Sequence, residues 1–129
     1  MAFNHELFKK LPVVGILRFF GRAEVEQLVP AVVDGGLSTI EVTMNTKGAA
    51  DLIRLVREIC GPRANVGAGT VTNLKTLDEA LAAGSDFIVT PAVVPDVIRA
   101  CVERKIPVMP GALTPTEVLT AWSLGATMV

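Results

Sequence analysis

The chain has 129 residues, 50% of them hydrophobic and 19% charged, with 12 basic against 13 acidic side chains and a formal net charge of −1. This composition lies outside the disordered range, and the adjacent basic pair Lys9–Lys10 offers no clustered cationic face for nucleic acid. Five Phe, one Trp and no Tyr leave little for base stacking, and no apolar run approaches the ~20 residues of a membrane span.

In chain order, Met1 to Leu11 is amphipathic. Asn4, His5, Glu6, Lys9 and Lys10 interrupt its apolar residues, so it lacks the apolar centre of a signal peptide and the chain reads as cytoplasmic. A recurring unit follows: a short β-branched run, a polar or glycine-bearing end, a helical stretch, then glycine. The runs are 13–17, 39–43, 65–69, 87–90 and 106–109, and a sixth begins at Ala126. Their starts are 26, 26, 22, 19 and 20 residues apart, room for a strand, a crossover helix and two short loops. Near-continuous apolar character suits parallel strands buried on both faces.

Between the runs, residues 24–33, 49–59, 76–83 and 96–102 repeat apolar side chains at three- and four-residue spacing and predict helices. Pro30 falls inside the first, where it predicts a kink or a restart. Gly35-Gly36, Gly61-Pro62, Gly84 and Gly125 are placed to stop helices in the left-handed conformation. Cys60 and Cys101, 41 residues apart, sit in helical patterns and read as core or near-surface thiols.

The fold class is therefore α/β, a parallel βα repeat in one domain over residues 1–129. Two architectures fit. A five-strand doubly wound sheet would be complete at this length, whereas an eight-stranded barrel needs roughly 250 residues, about 200 at the lower limit. Against the open sheet stand the sixth apolar run and a first βα turn, Arg18-Phe19-Phe20-Gly21-Arg22, with no dinucleotide or P-loop pattern.

In either architecture ligand chemistry gathers at the carboxyl ends of the strands. Those ends carry Arg18; Glu41 with Thr43 and Asn45; Gly67-Ala68-Gly69-Thr70; Thr90-Pro91; and Pro110-Gly111. A carboxylate between Ile40 and Val42 in a buried strand costs several kcal/mol unless paired, hydrogen-bonded or protonated. Glu41 is thus either a proton-transfer group, its pKa raised by burial, or half of a structural ion pair with Arg18 on the neighbouring strand. Gly67 and Gly69 either admit a ligand to the backbone or allow tight packing. Arg18 either grips a carboxylate or is a surface cation. A single histidine, His5, and no metal-ligand spacing give a zinc site no support.

Five segments in order resemble a known family: Pro12–Arg18, Gly35–Thr43, Val66–Val71, Phe87–Pro91 and Pro107–Glu117. It is that of the 2-dehydro-3-deoxy-phosphogluconate (KDPG) and 4-hydroxy-2-oxoglutarate (KHG) aldolases, class I enzymes on a (βα)8 barrel. The resemblance implies an incomplete TIM barrel of about five and a half βα units. It also implies a lyase that cleaves a 2-keto-3-deoxy sugar acid phosphate, or 4-hydroxy-2-oxoglutarate, to pyruvate and an aldehyde through a lysine Schiff base. No cofactor is implied, and the whole protein would be a homotrimer in the cytoplasm. By the same resemblance Glu41 is the catalytic acid/base, Thr70 donates to the pyruvate carboxylate, and Pro91 lines the pocket, with Thr43, Gly69 and Gly111 among the substrate-binding positions.

Many family members carry arginine where this chain has Asn45, while others have it at the end of strand one, as Arg18 is here. Members with asparagine include 2-dehydro-3-deoxy-6-phosphogalactonate aldolases, so the galactonate epimer is the alternative substrate. The family's Schiff-base lysine falls immediately after Val129, which predicts that the 129 residues alone are inactive. A shortened, non-catalytic βα binding module is the other reading, and a metal-dependent pyruvate aldolase with Glu41 as ligand is a third.

Overall fold

The computed structural model describes residues 2–129. The chain opens with a short helix α1 (His5–Lys10), started by Asn4, whose side chain accepts the Glu6 and Leu7 N–H groups at 3.0 and 3.2 Å. Glu6 in its first turn and Lys9 and Lys10 in its last complement the helix dipole. Then follow β1 (Gly15–Leu17), α2 (Arg22–Asp34), β2 (Thr39–Thr43), α3 (Ala49–Cys60), β3 (Asn65–Gly69), α4 (Leu74–Ala82), β4 (Ile88–Thr90), α5 (Pro95–Glu103), β5 (Val108–Pro110) and α6 (Pro115–Ser123). A single 3-10 turn at Gly61–Arg63 joins α3 to β3. No helix among the described residues is long and apolar enough to cross a membrane.

All strand pairs are parallel, and the strand order is β1-β2-β3-β4-β5. A doubly wound sheet reverses its order at a switch point; this sheet has none. Right-handed crossovers that always step in one direction lay their helices on one face, so the five strands form an arc of a barrel wall. The doubly wound alternative is thereby set aside.

Register explains the two faces. Leu17, Val42, Ala68, Ile88 and Val108 lie in one row across the sheet, and all five belong to the buried apolar core shared with the helices. Val25, Val29 and Val33 of α2 and Leu52, Ile53 and Val56 of α3 pack into the same core. The α2 helix runs continuously through Pro30, so the kink or restart expected there takes no form of a broken helix. The adjacent row, Ile16, Glu41 and Gly67, points to the concave face. That face is polar and glycine-rich in β2 and β3, contrary to the expectation of strands apolar on both sides.

The amino-terminal end of the concave face is closed by residues before α1. The Asn65 side chain grips the Asn4 backbone at both groups, accepting from its N–H at 2.6 Å and donating to its carbonyl at 3.0 Å. Phe3 packs edge-on against Phe87, ring centroids 5.5 Å apart. Beside β4, the buried Asp86 carboxylate takes Arg57 at 2.6 Å and the Val66 N–H at 3.1 Å, which fixes where β4 begins.

The run at Ala126–Val129 is not a strand. It lies beside β5, where the Thr127 N–H donates to the Val108 carbonyl at 2.9 Å and the Val108 N–H to Thr127 Oγ1 at 3.1 Å. It therefore continues the sequential order without forming a ladder.

Helices α2, α4 and α6 end on Gly36, Gly84 and Gly125 in the left-handed region, each followed by a bond back to the carbonyl five residues earlier. α5 ends in the same way, the Ile106 N–H reaching the Cys101 carbonyl, but its left-handed residue is Lys105, with φ 57°. A left-handed side chain costs about 1–2 kcal/mol. Lys105→Gly is therefore expected to stabilise the chain by about 0.5–1 kcal/mol after glycine's larger unfolded-state entropy is subtracted. Urea unfolding should show a raised midpoint at unchanged slope; a lowered midpoint refutes this account of the α5 terminus.

Candidate active site at the carboxyl ends of the strands

Glu41 sits at the centre of the concave face, flanked by Ile16 and Gly67 in register, and is only 4% exposed. Two glycines of β3 make this possible. A Cβ on Gly69 would collide with the Glu41 carboxylate, and one on Gly67 would lie 2.5 Å from the Phe87 ring. The space that side chains at 67 and 69 would fill is thus occupied by the carboxylate and by a wholly buried phenyl ring. Burial raises the Glu41 pKa above the ordinary glutamate value, and the field of Arg18 partly opposes the rise. Among the described residues Glu41 has neither a hydrogen bond nor an ion pair. Arg18 acts on it through space, so the structural ion pair considered from sequence is not formed.

Arg18 is exposed, one residue beyond β1. The following Phe19 holds φ 61° and is 70% exposed, an uncommon conformation for a bulky side chain. Its N–H donates to Thr46 Oγ1 at 3.0 Å. Thr46 Oγ1 lies 3.0 Å from Thr43 Oγ1, which also reaches the Leu17 carbonyl at 3.5 Å. Thr43 is 0% exposed and its hydroxyl is engaged within the protein.

Thr70 follows Gly69 with φ 58°. For a β-branched residue this is a strained backbone, held in place on either side by the Gly69 carbonyl accepting from the Met44 N–H and the Val71 N–H donating to the Val89 carbonyl. Asn45 is exposed in the loop after β2. Pro91 and Gly111 meet closely: the Gly111 N–H donates to the Thr90 carbonyl at 2.8 Å, and a Cβ on Gly111 would fall 2.6 Å from the Pro91 oxygen. Together with Ala92, Ala112, Leu113 and Glu117 they line a hollow of about 380 Å³ at the rim. Glu117 caps α6 there, and hydrogen bonds from the Leu113 and Thr114 backbone and the Thr114 hydroxyl hold its pKa below the usual value.

The lysines lie elsewhere. Lys47 borders a separate hollow with Gly21, Arg22 and Asp51, Lys105 borders one beside His5, and Lys9, Lys10, Lys47, Lys75 and Lys105 are all exposed. Among the described residues no three His, Cys, Asp or Glu side chains are grouped as metal ligands. Sequence reasoning passed over Thr46 and Phe87. The threonine at the polar end of the β2 run was a readable turn signal, whereas the ring's approach to Gly67 depends on strand register and is visible only in three dimensions.

A glutamate that keeps its proton to higher pH in the folded state binds more protons folded than unfolded just above its ordinary pKa. There the unfolding free energy falls as pH rises. Above the ordinary glutamate range, Glu41→Gln is expected to flatten this part of the stability profile and to stabilise the chain at the upper end. Denaturant melts at several pH values would show it; a variant with the same slope as the parent would contradict the assignment of the buried proton to Glu41.

Comparison with known proteins agrees with this geometry. The family model for KDPG and KHG aldolase matches residues 5–129. A 2-dehydro-3-deoxy-phosphogluconate aldolase of Zymomonas mobilis is 37% identical over 114 residues, 88% of this chain and 54% of the relative. A 2-dehydro-3-deoxy-6-phosphogalactonate aldolase of Escherichia coli is 36% identical over 117 residues, 91% of this chain and 57% of the relative. A solved structure described as native KDPGal superposes with a TM-score of 0.87 at 33% identity, covering 99% of this chain and 61% of that one. The chain thus spans a little over half the length of these relatives, and it belongs to the KDPG and KHG aldolase family.

Proposed function

We propose that residues 1–129 are the amino-terminal portion of one catalytic domain, and that the whole protein is a class I aldolase cleaving 2-dehydro-3-deoxy-6-phosphogluconate to pyruvate and glyceraldehyde 3-phosphate. The observation that carries this reading is Glu41, a buried carboxyl with raised proton affinity and no structural partner, facing the concave side two residues before the carboxyl end of β2. An unpaired buried acid destabilises a fold, and a proton-transfer role accounts for its presence.

In this mechanism a lysine amine, placed by family resemblance on the strand that would follow Val129, adds to the substrate ketone. Glu41 donates a proton to the carbinolamine hydroxyl, water departs, and an iminium forms. Glu41, now a carboxylate, accepts the C4 hydroxyl proton as the C3–C4 bond breaks. The bonding pair moves into the iminium, giving an enamine and the aldehyde. The same proton returns to C3, and hydrolysis frees pyruvate and the amine. Desolvation raises the proton affinity of Glu41, which favours its holding a proton that it can pass to the carbinolamine. Arg18 and Thr70 hold the substrate carboxylate, with Gly69, Pro91 and Gly111 shaping the pocket. An anionic carboxylate on Arg18 offsets the guanidinium field, so substrate binding itself raises the proton affinity of Glu41.

The 6-phosphogalactonate epimer is the second reading. It is favoured by Asn45, and by similarity to the E. coli galactonate enzyme. A homotrimer in the cytoplasm accompanies either reading.

In the intact protein Glu41→Gln is expected to lower kcat by about 10²–10⁴ with a smaller change in KM. With pyruvate and borohydride the intact protein should be trapped as a covalent adduct, while the 129-residue chain should not, because its lysines are exposed and solvated. An adduct on Lys47 or Lys75 of the short chain would overturn the assignment of the nucleophile.

A further inference from the structure

Two buried hydroxyls of the β2 end bracket Arg18. The carbonyl before it, on Leu17, faces Thr43 Oγ1 at 3.5 Å, and the N–H after it, on Phe19, donates to Thr46 Oγ1 at 3.0 Å. The hydroxyls are 3.0 Å apart. Only one direction of donation satisfies all the groups. Phe19 N–H donates to Thr46, the Thr46 hydroxyl donates to Thr43, and the Thr43 hydroxyl donates to Leu17. The chain of bonds therefore begins and ends on the two peptide groups that flank the Arg18 Cα. A turn in which the Thr46 N–H donates to the Thr43 carbonyl at 2.9 Å sets the hydroxyls side by side.

Phe19 itself gives no reason for its own conformation. Its left-handed backbone is disfavoured and its ring is mostly in solvent, so neither local preference nor burial holds it there. The bond to Thr46 does. Thr43 and Thr46 are both buried, so the clamp is shielded from competing water, which gives its bonds more weight than exposed ones.

We infer that Thr46, acting through Phe19 and braced by Thr43, is a positioning residue that aims the exposed Arg18 at the substrate carboxylate. This rests on the carboxylate-binding role given to Arg18 in the proposed function. The clamp supplies the order that a solvated arginine one residue beyond the three-residue β1 otherwise lacks. A bidentate guanidinium–carboxylate pair depends on such pre-orientation.

The test uses the intact aldolase carrying these residues, with steady-state cleavage of the keto-acid phosphate. Thr46→Val removes the hydroxyl at similar volume. It is expected to raise KM about tenfold with kcat within about twofold, while Thr46→Ser restores most of the KM. In an Arg18→Ala background Thr46→Val should add nothing further, because the residue it positions is gone. Thr43→Val is expected to show the same KM pattern and serves if Thr46→Val fails to fold. Should Arg18→Ala raise KM while Thr46→Val and Thr43→Val leave it unchanged, or should the two effects multiply in the double variant, the positioning role falls and the role of Arg18 stands. Should Arg18→Ala itself leave KM unchanged, the carboxylate reading falls and this inference with it.

Discussion

The structure depends on one steric exchange: β3 gives up side chains at 67 and 69 so that β2 can keep a carboxyl at 41. In a parallel sheet neighbouring strands present residues of the same row to the same side, and the row through Glu41 would ordinarily be filled by apolar side chains. Here Gly67 accepts the ring of Phe87, and Gly69 leaves room for the carboxylate. The outward row, Leu17, Val42, Ala68, Ile88 and Val108, stays apolar and ties the same strands to the helices. One sheet face thus supplies cohesion, and the other is left free to hold a group that weakens it.

The two ends of the strands divide along the same line. At the amino-terminal end polar side chains serve the fold: Asn65 grips Asn4, and Ser38 Oγ donates to the Leu7 carbonyl. Phe3 and Phe87 seal the bottom with an edge-on contact. At the carboxyl end Arg18 is exposed, Glu41 is unpaired and Thr70 lies in the left-handed region.

How much of this was legible depended on whether the signal was local. The β-branched runs marked β2 and β3 to the residue, because the two strands pair with each other over all five residues. β1 is shorter than its run: only Gly15–Leu17 finds register with β2, and Val13 is half exposed. The α6 helix was missed as a helix, since its apolar period is diluted by the exposed Leu119 and Trp122, and only Ala121 is fully buried. Lys105 concealed the end of α5 because a helix stop is ordinarily recognised by glycine. The strand ends identified Glu41, Arg18 and Thr70 as neighbours on one rim. The clamp of Thr43 and Thr46 joins residues 27 apart, and spacing along the chain carries no trace of it.

The concave face is not uniformly covered, and the difference bears on the acid. Ile16 of β1 points the same way as Glu41 and is 55% exposed, and Val89 and Met109 are partly exposed. Glu41 itself is buried. The residues that shield it are therefore the central ones, β2 and β3 with the Phe87 ring, and not the edges of the arc. Desolvation by these neighbours is already the larger influence on its pKa, ahead of the opposing charge of Arg18. Further strands closing over the edges would add to that desolvation and strengthen the field between acid and guanidinium in the same step. Both effects act on a carboxyl whose position the glycines of β3 have already fixed.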